Sequence, residues 1–384
     1  MMKFLKILLK ALAVLVLLAI IPNYNTVMYK FGDFNKFSGE QFYNPYSDLK
    51  SDWVKVNFHA HAKAYGGVSL GSNSAEEMLA KYDTLGYDLA CISNYGFVQD
   101  SIPGHKYMPV YEHGFNRRWI HQLVINETQS KPFDYPLFQN RSTRQYMINR
   151  LKTDNNLIVL NHPNHKKAYR SKDLTYLNNY DLLEGISEFA NSIEQWDIAL
   201  SSGHAAWIVG NDDSHDLSDY HIGIAWNMIN VDSLTNSEII KSLKLGKFYA
   251  TKGWLGQEMN KLRSLSVNDG LYILKMVRKA DSIALFSDNG QLLTYALNID
   301  SISYQIKPEN SYVRAQIFES EKWNKYTMMY LNPVIRTKTG NFEAHNNKNK
   351  VNYFFSVIYW IALFCFQLGL GIFIWKWGVY KPRN

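Results

Sequence analysis

The stretch Trp53-Val54-Lys55-Val56-Asn57-Phe58-His59-Ala60-His61 predicts a β-strand that ends in two histidines. Apolar residues alternate with others from Trp53 to Phe58, which is the pattern of a half-buried strand. Because side chains along a strand alternate between its faces, His59 and His61 point to the same face. Such a pair suits one metal ion, although an isolated His-x-His is about as often a pair of hydrogen-bonded loop histidines. The rest of the chain favours the metal site.

The composition indicates a folded protein without a nucleic-acid partner. Of the 384 residues, 46% are hydrophobic and 15% aromatic, enough for one large domain and a smaller one. Six of the seven net positive charges lie in residues 1–22 and 376–384, so residues 23–375 carry a net charge of only +1. That near-neutral part argues against binding to nucleic acid. Cys91 and Cys365 are the only cysteines, and they imply no disulfide framework.

Two apolar segments bracket the chain. Residues 4–21 are apolar apart from Lys6 and Lys10, and no small-residue cleavage pattern follows, which favours an uncleaved signal anchor over a signal peptide. Residues 353–375 carry no charge, are about long enough to span a bilayer and have aromatic residues near their ends. Basic residues at the outer ends of the two segments favour cytoplasmic termini and an extracytoplasmic (in a bacterium, periplasmic) segment 22–352. Lysines on the inner sides, at 30, 36, 348 and 350, are almost as numerous.

Between these segments the chain predicts alternating strands and helices. After a polar juxtamembrane linker, residues 23–52, and the His-x-His strand, a capping box from Ser74 to Glu77 begins a helix that ends at Gly86. Further strands are predicted over 87–93, 157–160, 182–189 and 206–210, and further helices over 142–153, 173–180, 192–202 and 235–246. Repeated β-α units predict a parallel sheet with crossover helices, most simply a barrel or distorted barrel in which the reactive side chains lie where strands end.

From about residue 256 the pattern changes to short strands separated by turns. Asn268-Asp269-Gly270 and Asp288-Asn289-Gly290 are turn signals, and no convincing helix is predicted between residue 256 and Thr339. The chain therefore predicts two soluble domains, an α/β barrel and a small all-β domain of sandwich type. The predicted divisions are an anchor, 1–22; a linker, 23–52; the barrel, 53–255; the β domain, 256–340; a linker, 341–352; a second span, 353–375; and a basic tail, 376–384.

Further potential metal ligands lie at or near the ends of the predicted strands. They are Glu112 after an apolar pair, His121 at the start of a strand over 119–125, His162 after 157–160, and Asp213 and His215 after 206–210. Buried carboxylates are costly unless they are paired or bind a cation. Any one of these residues alone is more often structural, but together they favour a metal site.

The sequence resembles the PHP (polymerase and histidinol phosphatase) family of metal-dependent phosphoesterases. The motifs NFHAHA, GYDLACIS, MPVYEHG followed by HQLVI, LIVLNHP and GNDDSHD occur in the family's order over roughly residues 53–255. The all-β segment, with SYVRAQIF and YLNPV, is similar to the accessory domain of a subgroup of these metallohydrolases. The resemblance implies a distorted (β/α)7 TIM-like barrel with a di- or trinuclear metal site at the carboxyl ends of its strands.

The resemblance also implies a role for each ligand. It implies that one metal ion is bound by His59, His61 and Asp213, that Glu112 bridges, and that a second ion is bound by His121 and His162. Two groups that family members often carry are missing, since this chain has Lys63-Ala64-Tyr65 after His-x-His and Ser93-Asn94-Tyr95 after the second strand. They would hold a third ion together with His215. We therefore expect two divalent ions, Zn2+, Mn2+ or Fe2+.

Three side chains are candidates for catalytic roles beyond metal binding. His215 could bind substrate or act as a general acid, Lys63 could hold a phosphate, and Tyr95 could donate a hydrogen bond to substrate or simply pack. Arg117, Arg118 and Glu188 are weaker candidates, for which a solvated or structural role is at least as common. The remaining histidines, His105, His113, His165, His204 and His221, are expected to be structural or exposed.

These observations lead to one hypothesis and two alternatives. The hypothesis is a membrane-anchored hydrolase that uses a metal-bridging water to cleave a small-molecule or lipid-linked phosphoester, without a serine nucleophile. One alternative is hydrolysis of a different ester, such as a carbamate or carboxyl ester. The other is a catalytically degenerate barrel that serves as a ligand-binding or envelope scaffold. Six converging polar groups favour the enzyme.

Overall fold

The computed structural model describes residues 2–33, 35–68, 71–218, 222–254, 260–320, 326–342 and 349–376. Its helices are α1 (Met2–Ile20), α2 (Ala75–Thr84), α3 (Arg141–Leu151), α4 (Ser171–Tyr176), α5 (Ile193–Ser201), α6 (Asn236–Lys244) and α7 (Tyr353–Lys376). Its strands are β1 (Tyr29–Lys30), β2 (Gln41–Tyr43), β3 (Asp52–Asn57), β4 (Leu89–Ala90), β5 (Val110–His113), β6 (Gln122–Ile125), β7 (Leu157–Leu160), β8 (Leu182–Ile186), β9 (Trp207–Gly210), β10 (Ala225–Val231), β11 (Phe248–Lys252), β12 (Leu262–Asn268), β13 (Leu271–Ser287), β14 (Gln291–Gln305), β15 (Tyr312–Ser320), β16 (Tyr326–Leu331), β17 (Val334–Thr337) and β18 (Lys350–Val351). His221, residues 343–348 of the predicted second linker and residues 377–384 of the predicted basic tail lie outside the described residues.

Side-chain caps set where the helices begin. The Ser74 hydroxyl accepts a hydrogen bond from the Glu77 N–H, and the Glu77 carboxylate accepts one from the Ser74 N–H, as the sequence predicts for α2. α4 begins earlier than predicted because the Asp173 carboxylate accepts a hydrogen bond from the Arg170 N–H, which makes Asp173 the third residue of the helix rather than the first.

The strands form two large mixed sheets, and the prediction of one parallel sheet is wrong. One sheet has the order β5-β6-β7-β8-β9, and the other, with eleven strands, follows the path β12-β13-β15-β16-β11-β10-β3-β4 with β14, β17 and β2 attached. Within the described ranges only β3 with β4, β7 with β8 and β8 with β9 pair in parallel. β5 and β6 are joined by residues 114–121 without a helix, and so short a connection gives an antiparallel pair. The fold is mixed α/β; closure into a barrel stays a prediction.

Asparagine side chains join the two sheets at the end where the site lies. Asn227 of β10 donates from Nδ2 to the Gly210 carbonyl at 2.7 Å and accepts at Oδ1 from the Gly210 N–H at 2.9 Å. Asn57 at the end of β3 accepts from the Asp212 N–H at 3.1 Å. These bonds satisfy buried backbone groups that no strand ladder pairs, and they bring the ends of β3 and β9 together.

The C-terminal part is rich in β-sheet, as predicted. Among the described residues from Leu262 to Thr337 the elements are six strands and one 3₁₀ turn, Asp288–Gly290. β11 pairs with β16, so the six C-terminal strands continue the sheet that contains β3. The sandwich arrangement and the domain boundaries stay predictions.

Two helices are long and apolar enough to cross a membrane. They lie in the segments Phe4–Asn25 and Tyr353–Lys376, of 22 and 24 residues. Most of their apolar side chains face outward; for example, Phe4 is 73% and Phe354 71% exposed. A helix in the core of a soluble protein would bury such side chains.

The two apolar helices run antiparallel and hold each other through polar groups. The Tyr359 hydroxyl donates to Asn23 Oδ1 at 2.8 Å, whereas Gln367, two turns further along α7, donates to the Leu17 carbonyl at 3.4 Å. The predicted linkers are partly ordered, because β1 and β18 pair just outside the helices. Both described chain ends therefore point away from the folded part on the same side.

Candidate metal centre

The six predicted ligands converge where strands of both sheets end. His59 and His61 follow β3, Glu112 lies in β5, His121 precedes β6, His162 follows β7, and Asp213 follows β9. All six are buried, with no more than 3% of any residue exposed. The extended chain continues beyond β3, since Ala60 forms a parallel bridge with Ser214. This pairing keeps His59 and His61 on one face, as the alternation predicts.

Glu112 lies at the centre of this cluster. Its Oε1 lies 3.0 Å from His121 Nδ1 and 3.5 Å from His162 Nε2. The same oxygen lies 3.4 Å from His59 Nε2, and the other oxygen, Oε2, lies 3.2 Å from His61 Nε2. The carboxylate therefore faces both histidine pairs, which is the arrangement required of a carboxylate that bridges two metal ions.

Asp213 is the second carboxylate of the cluster. Its Oδ1 lies 3.0 Å from His59 Nε2 and 3.3 Å from His61 Nε2. Asp213 has a φ of 56° and His162 a φ of 28°, in the left-handed region that non-glycine residues rarely adopt. Backbone strain of this kind persists where surrounding contacts hold it, commonly at functional sites.

The potential ligands form three overlapping groups. Within each group the ligand atoms lie within 4.8 Å of one another; the groups are His59 with His61 and Glu112, Glu112 with His121 and His162, and His61 with Asp213 and His215. The first two groups share Glu112, the predicted bridging residue, whereas Asp213, predicted to bind the same ion as His59 and His61, belongs to the third group. The third adds His215, which the sequence analysis left outside the metal ligands.

The hydrogen bonding of these side chains fits a metal site. Glu112 Oε2, His121 Nδ1, Asp213 Oδ1 and His215 Nε2 are buried and lack a hydrogen bond of acceptable geometry among the described residues. Each buried polar atom left in this way costs about 1–3 kcal/mol. Divalent cations would satisfy all four, and the mixture of imidazole and carboxylate suits Zn2+, Mn2+ or Fe2+.

The electrostatics of the cluster favour bound positive charge. Burial alone would lower the pKa of His59, but Asp213 and Glu112 more than offset it, and the His59 pKa is raised well above its ordinary value. Burial would raise the pKa of Glu112, but His121 and His59 hold it well below its ordinary value. Positive charge in this place, carried by protons or by metal ions, is therefore stabilised.

Glu184 is buried and contacts two of the predicted ligands, although it was not itself predicted from the sequence. Its Oε1 lies 2.9 Å from His59 Nδ1, and its Oε2 accepts a hydrogen bond from the His162 N–H at 3.0 Å. Because the carboxylate accepts a hydrogen bond from the Nδ1–H group, His59 directs its other ring nitrogen, Nε2, at the cluster. The sequence does indicate this role, because Glu184 is the one charged residue in the otherwise uncharged strand Leu182-Leu183-Glu184-Gly185-Ile186.

Tyr95 and His215 stack on opposite sides of His61. The ring centroids lie 4.6 Å apart for Tyr95 and 4.3 Å apart for His215, and the planes are nearly parallel. Burial and the neighbouring Glu112 raise the pKa of Tyr95, so its phenol stays protonated and can donate a hydrogen bond. The structure thus brings both of these predicted catalytic residues to the cluster.

The hydrogen bonding of His215 favours a role as ligand or acceptor. Its Nδ1 lies 2.8 Å from the Asp213 carbonyl oxygen, to which it must donate. Burial and the nearby His61 lower the pKa of His215 to about 4, so the ring is neutral near pH 7. Nε2 then carries a lone pair rather than the proton that a general acid would need.

Lys63 is the one predicted catalytic residue that the structure leaves away from the cluster. The Ala62 N–H donates to Asn94 Oδ1, and the Lys63 N–H donates to the Asn73 carbonyl. The chain therefore leaves the extended path that holds His59 and His61 on one face. Lys63 is exposed and lies outside the residues that line the cavity over the ligands.

A cavity of about 410 Å3 opens over the ligands, and we call it the ligand cavity. It is lined by Tyr95, Trp119, His162, His165, Lys166, Glu188, Phe189, Asp213 and His215. Glu188, a weak candidate from the sequence, is part of this wall. His165 was expected to be structural, but its ring lies 5.5 Å from that of His162 in the same wall.

The other described histidines lie in structural positions, as expected. His105 pairs with Asp83 at 2.8 Å, and His204 Nε2 lies 3.1 Å from the Thr175 carbonyl oxygen. His113 lies 2.9 Å from the Gln122 side chain and is not among the residues that line the ligand cavity.

Comparison with known proteins gives one structural likeness. No protein-family model and no curated protein matches the chain. A solved structure of a two-domain protein from Bacteroides vulgatus ATCC 8482, described as containing a predicted PHP-like metal-dependent phosphoesterase, is similar over 75% of this chain and 94% of its own. The identity is 13% and the TM-score 0.42.

Proposed function

We propose that this chain is a membrane-anchored, metal-dependent hydrolase of phosphoesters. The observation that carries the proposal is the central Glu112: its Oε1 lies within 3.5 Å of a ring nitrogen of His121, His162 and His59, and its Oε2 lies 3.2 Å from His61 Nε2. A scaffold protein gains nothing from burying so many polar atoms without hydrogen bonds.

The side chains divide into two overlapping ligand sets. His59, His61 and Asp213 would hold one divalent ion, His121 and His162 would hold a second, and Glu112 would bridge them. When bound, such ions polarise a phosphoryl oxygen and lower the pKa of a water molecule, which allows ester hydrolysis near neutral pH. Glu184 accepts a hydrogen bond from His59 Nδ1 and would thereby direct Nε2 towards the first ion.

The cavity walls supply the remaining groups for hydrolysis. Tyr95 borders the ligand cavity with a protonated phenol that can donate to a phosphoryl oxygen, and Lys166 borders it with a cation. In the reaction a water oxygen bonds to phosphorus, the bond from phosphorus to the alcohol oxygen breaks, and the water proton ends on the departing alcohol. No serine or cysteine nucleophile takes part in this proposal.

The two apolar helices support the membrane anchoring. Their outward side chains, such as Phe4 and Phe354, would be exposed to water in a soluble protein at a cost of about 25 cal/mol per Å2. Their antiparallel packing supports a topology in which Met2 and Lys376 lie on the same side of the bilayer. Lys6 and Lys10 favour the cytoplasm for that side, with the metal centre outside it.

The proposal is tested by metal content and turnover in the full chain. We would purify the wild type, Glu112→Gln and, as a matched control, Glu309→Gln, which changes an exposed carboxylate in a turn. After reconstitution with Zn2+, Mn2+ or Fe2+, inductively coupled plasma mass spectrometry should find about two ions in the wild type and control and a sharp loss in Glu112→Gln. Release of p-nitrophenol from p-nitrophenyl phosphates should follow the metal content.

Three outcomes separate the alternatives. A folded wild type that stays free of metal with all three ions would overturn the hydrolase and leave the scaffold. A chain that binds metal and cleaves p-nitrophenyl acetate but no phosphate ester would support the other-ester alternative. Turnover that survives Glu112→Gln at the wild-type rate would place the chemistry elsewhere.

A further inference from the structure

A second cavity, which we call the basic cavity, lies between the folded part and α7. Its volume is about 630 Å3, and it is lined by Arg117, Arg118, Leu137, Phe138, Gln139, Asn140, Lys166 and Tyr359. Three cations and no acid line it. One of the lining residues, Tyr359, belongs to α7, a helix long and apolar enough to span a membrane.

The two arginines of the basic cavity are free to bind an anion. Both are exposed, and within the described parts of the chain neither guanidinium forms an ion pair or donates a hydrogen bond. The Lys166 Nζ lies 4.0 Å from the centre of the Trp119 indole ring, which holds the amine at the cavity wall. A guanidinium group can donate two parallel hydrogen bonds to the oxygens of one phosphate. Two adjacent arginines therefore suit a phosphorylated ligand.

The basic cavity shares its walls with the space around the metal centre. Lys166 lines both the basic cavity and the ligand cavity. Arg117 also lines a third, mainly apolar cavity of about 790 Å3, together with Tyr95, Trp119 and His121. The basic cavity therefore adjoins the ligand cavity at Lys166 and the apolar cavity at Arg117.

Exposed phenylalanines line both the basic cavity, which borders α7 at Tyr359, and the apolar cavity. Phe138, in the wall of the basic cavity, is 61% exposed, and Phe115, in the wall of the apolar cavity, is 85% exposed. Next to Tyr359, the Trp360 indole N–H donates to the Thr26 carbonyl at 2.9 Å. Aromatic residues in this position are typical of a membrane interface. Exposed phenylalanines would favour contact with lipid.

We infer that the substrate is a membrane lipid with a phosphorylated headgroup, drawn from the bilayer through the basic cavity to the metal centre. The inference rests on the proposed function and narrows its substrate class. Arg117, Arg118 and Lys166 bind the headgroup phosphate, and the apolar cavity takes part of the hydrocarbon chain. A water-soluble phosphate ester has the same charge but needs neither a wall from α7 nor an apolar cavity of this size.

Direct binding tests the headgroup site without relying on turnover. We would compare the full-length wild type, Arg117→Glu/Arg118→Glu and the control Lys275→Glu/Lys279→Glu, which makes the same charge change on exposed residues of β13. Native mass spectrometry in detergent would count bound phosphatidic acid, with phosphatidylcholine as the neutral-headgroup probe. We expect phosphatidic acid on the wild type and control and about tenfold less on the arginine variant.

Turnover distinguishes a failure of this inference from a failure of the proposed function. In lipid nanodiscs we expect phosphate release from phosphatidic acid, and the arginine variant should lower the ratio of lipid turnover to p-nitrophenyl phosphate turnover about tenfold. A wild type that cleaves only p-nitrophenyl phosphate would overturn the lipid substrate and leave the hydrolase. A metal-loaded wild type that cleaves neither would overturn both.

Two further results would count against the lipid. Equal phosphatidic acid binding by all three proteins would mean that the two arginines do not bind the headgroup. Displacement of the lipid by inorganic phosphate at a similar concentration would mean that phosphate alone is recognised. If Arg117→Glu/Arg118→Glu fails to fold, Arg117→Gln/Arg118→Gln removes the charges with a smaller change, and the same loss of binding is expected.

Discussion

Glu184 Oε1 lies 2.9 Å from His59 Nδ1, and both side chains are fully buried. The contact joins the middle of β8 to the first histidine after β3. It determines which nitrogen of His59 carries the proton and therefore which one faces the cluster. A residue outside the predicted ligand set thus controls the orientation of a ligand.

The first prediction follows from this contact. Glu184→Gln keeps the shape of the side chain but removes the charge that holds the Nδ1 proton of His59. We expect metal affinity or turnover to fall by about 10–100-fold. Glu194→Gln, an exposed residue in the first turn of α5, is the control and should leave both unchanged. Metal titrations that cannot tell the two variants apart would contradict the role of Glu184.

The second prediction concerns a glycine against which His121 packs. Gly114 has a φ of 135°, and a Cβ there would lie 2.5 Å from His121 Cδ2. Gly114→Ala should therefore displace the His121 ring, and a shift of about 1 Å at such a site can lower turnover by about 100-fold. The measurement is metal content together with the rate.

Gly104→Ala provides the control for this change. Gly104 also has a positive φ, 88°, but nothing lies within 4 Å of the Cβ position. Each substitution also places an alanine at a positive φ, which costs about 1–3 kcal/mol of backbone strain. If both variants lose metal equally, backbone strain rather than the displacement of His121 would explain the loss.

The third prediction concerns a buried ion pair between α5 and β15. Arg314 donates from Nε and Nη2 to the two carboxylate oxygens of Asp197, each at 2.7 Å, and the side chains are 2% and 7% exposed. Asp197→Ala leaves the guanidinium buried without its partner, so we expect a loss of about 3–5 kcal/mol in the free energy of unfolding. Thermal unfolding of the full chain in detergent measures it.

An exposed pair serves as the comparison for Asp197. Asp232 lies 3.7 Å from the Lys50 Nζ, and the two side chains are 52% and 39% exposed. Asp232→Ala should cost less than about 1 kcal/mol. Equal shifts in the unfolding midpoint for the two variants would mean that burial does not set the strength of the Asp197 contact.

The fourth prediction is a pH dependence at the turn that begins with Asp288. Burial would raise the pKa of this carboxyl, but Lys36 and the hydrogen bonds from Ser311 more than offset it, and the pKa is lowered. The unfolded chain therefore binds this proton at a higher pH than the folded chain does. The stabilisation is complete above the unfolded pKa, near 3.8, and is lost as pH falls through the lower folded pKa.

Asp288→Asn tests this pH dependence. At pH 7 the variant should lose about 1–2 kcal/mol of stability because the charged hydrogen bonds are weakened. The difference from wild type in the thermal midpoint should shrink as pH is lowered from 5 to 3. Asp269→Asn, in the exposed turn Asn268-Asp269-Gly270, is the control and should have little effect. A difference for Asp288→Asn that stays constant down to pH 3 would contradict the assignment.

Local patterns in the sequence were sufficient for several features of the fold. The Ser74 and Glu77 side chains form the predicted capping box because both partners lie within one helical turn. The run over 157–160 forms β7 with the predicted bounds, since a short apolar run between polar residues has few other stable arrangements. The two long apolar segments are helices, because only a helix pairs all backbone groups within the segment.

Other features depended on contacts between distant segments. The antiparallel pairing of β5 with β6 follows from the short connection between them, whereas the repeated β-α units predicted a parallel sheet. Lys63 is close to His61 in sequence but leaves the cluster because its backbone pairs with Asn73. His165 and Lys166 join the ligand cavity through a turn that no periodic pattern describes.

For the site, the sequence by itself determined the ligand chemistry: the imidazoles of His59 and His61, the carboxylate of Glu112, and the positions of these residues at the ends of apolar runs. Only the tertiary structure decided that Glu184 orients His59 and that Arg117, Arg118 and Tyr359 border one cavity. The physical reason is that local periodicity follows from side-chain polarity along a few residues, whereas partners more than 100 residues apart meet only through packing of the whole chain.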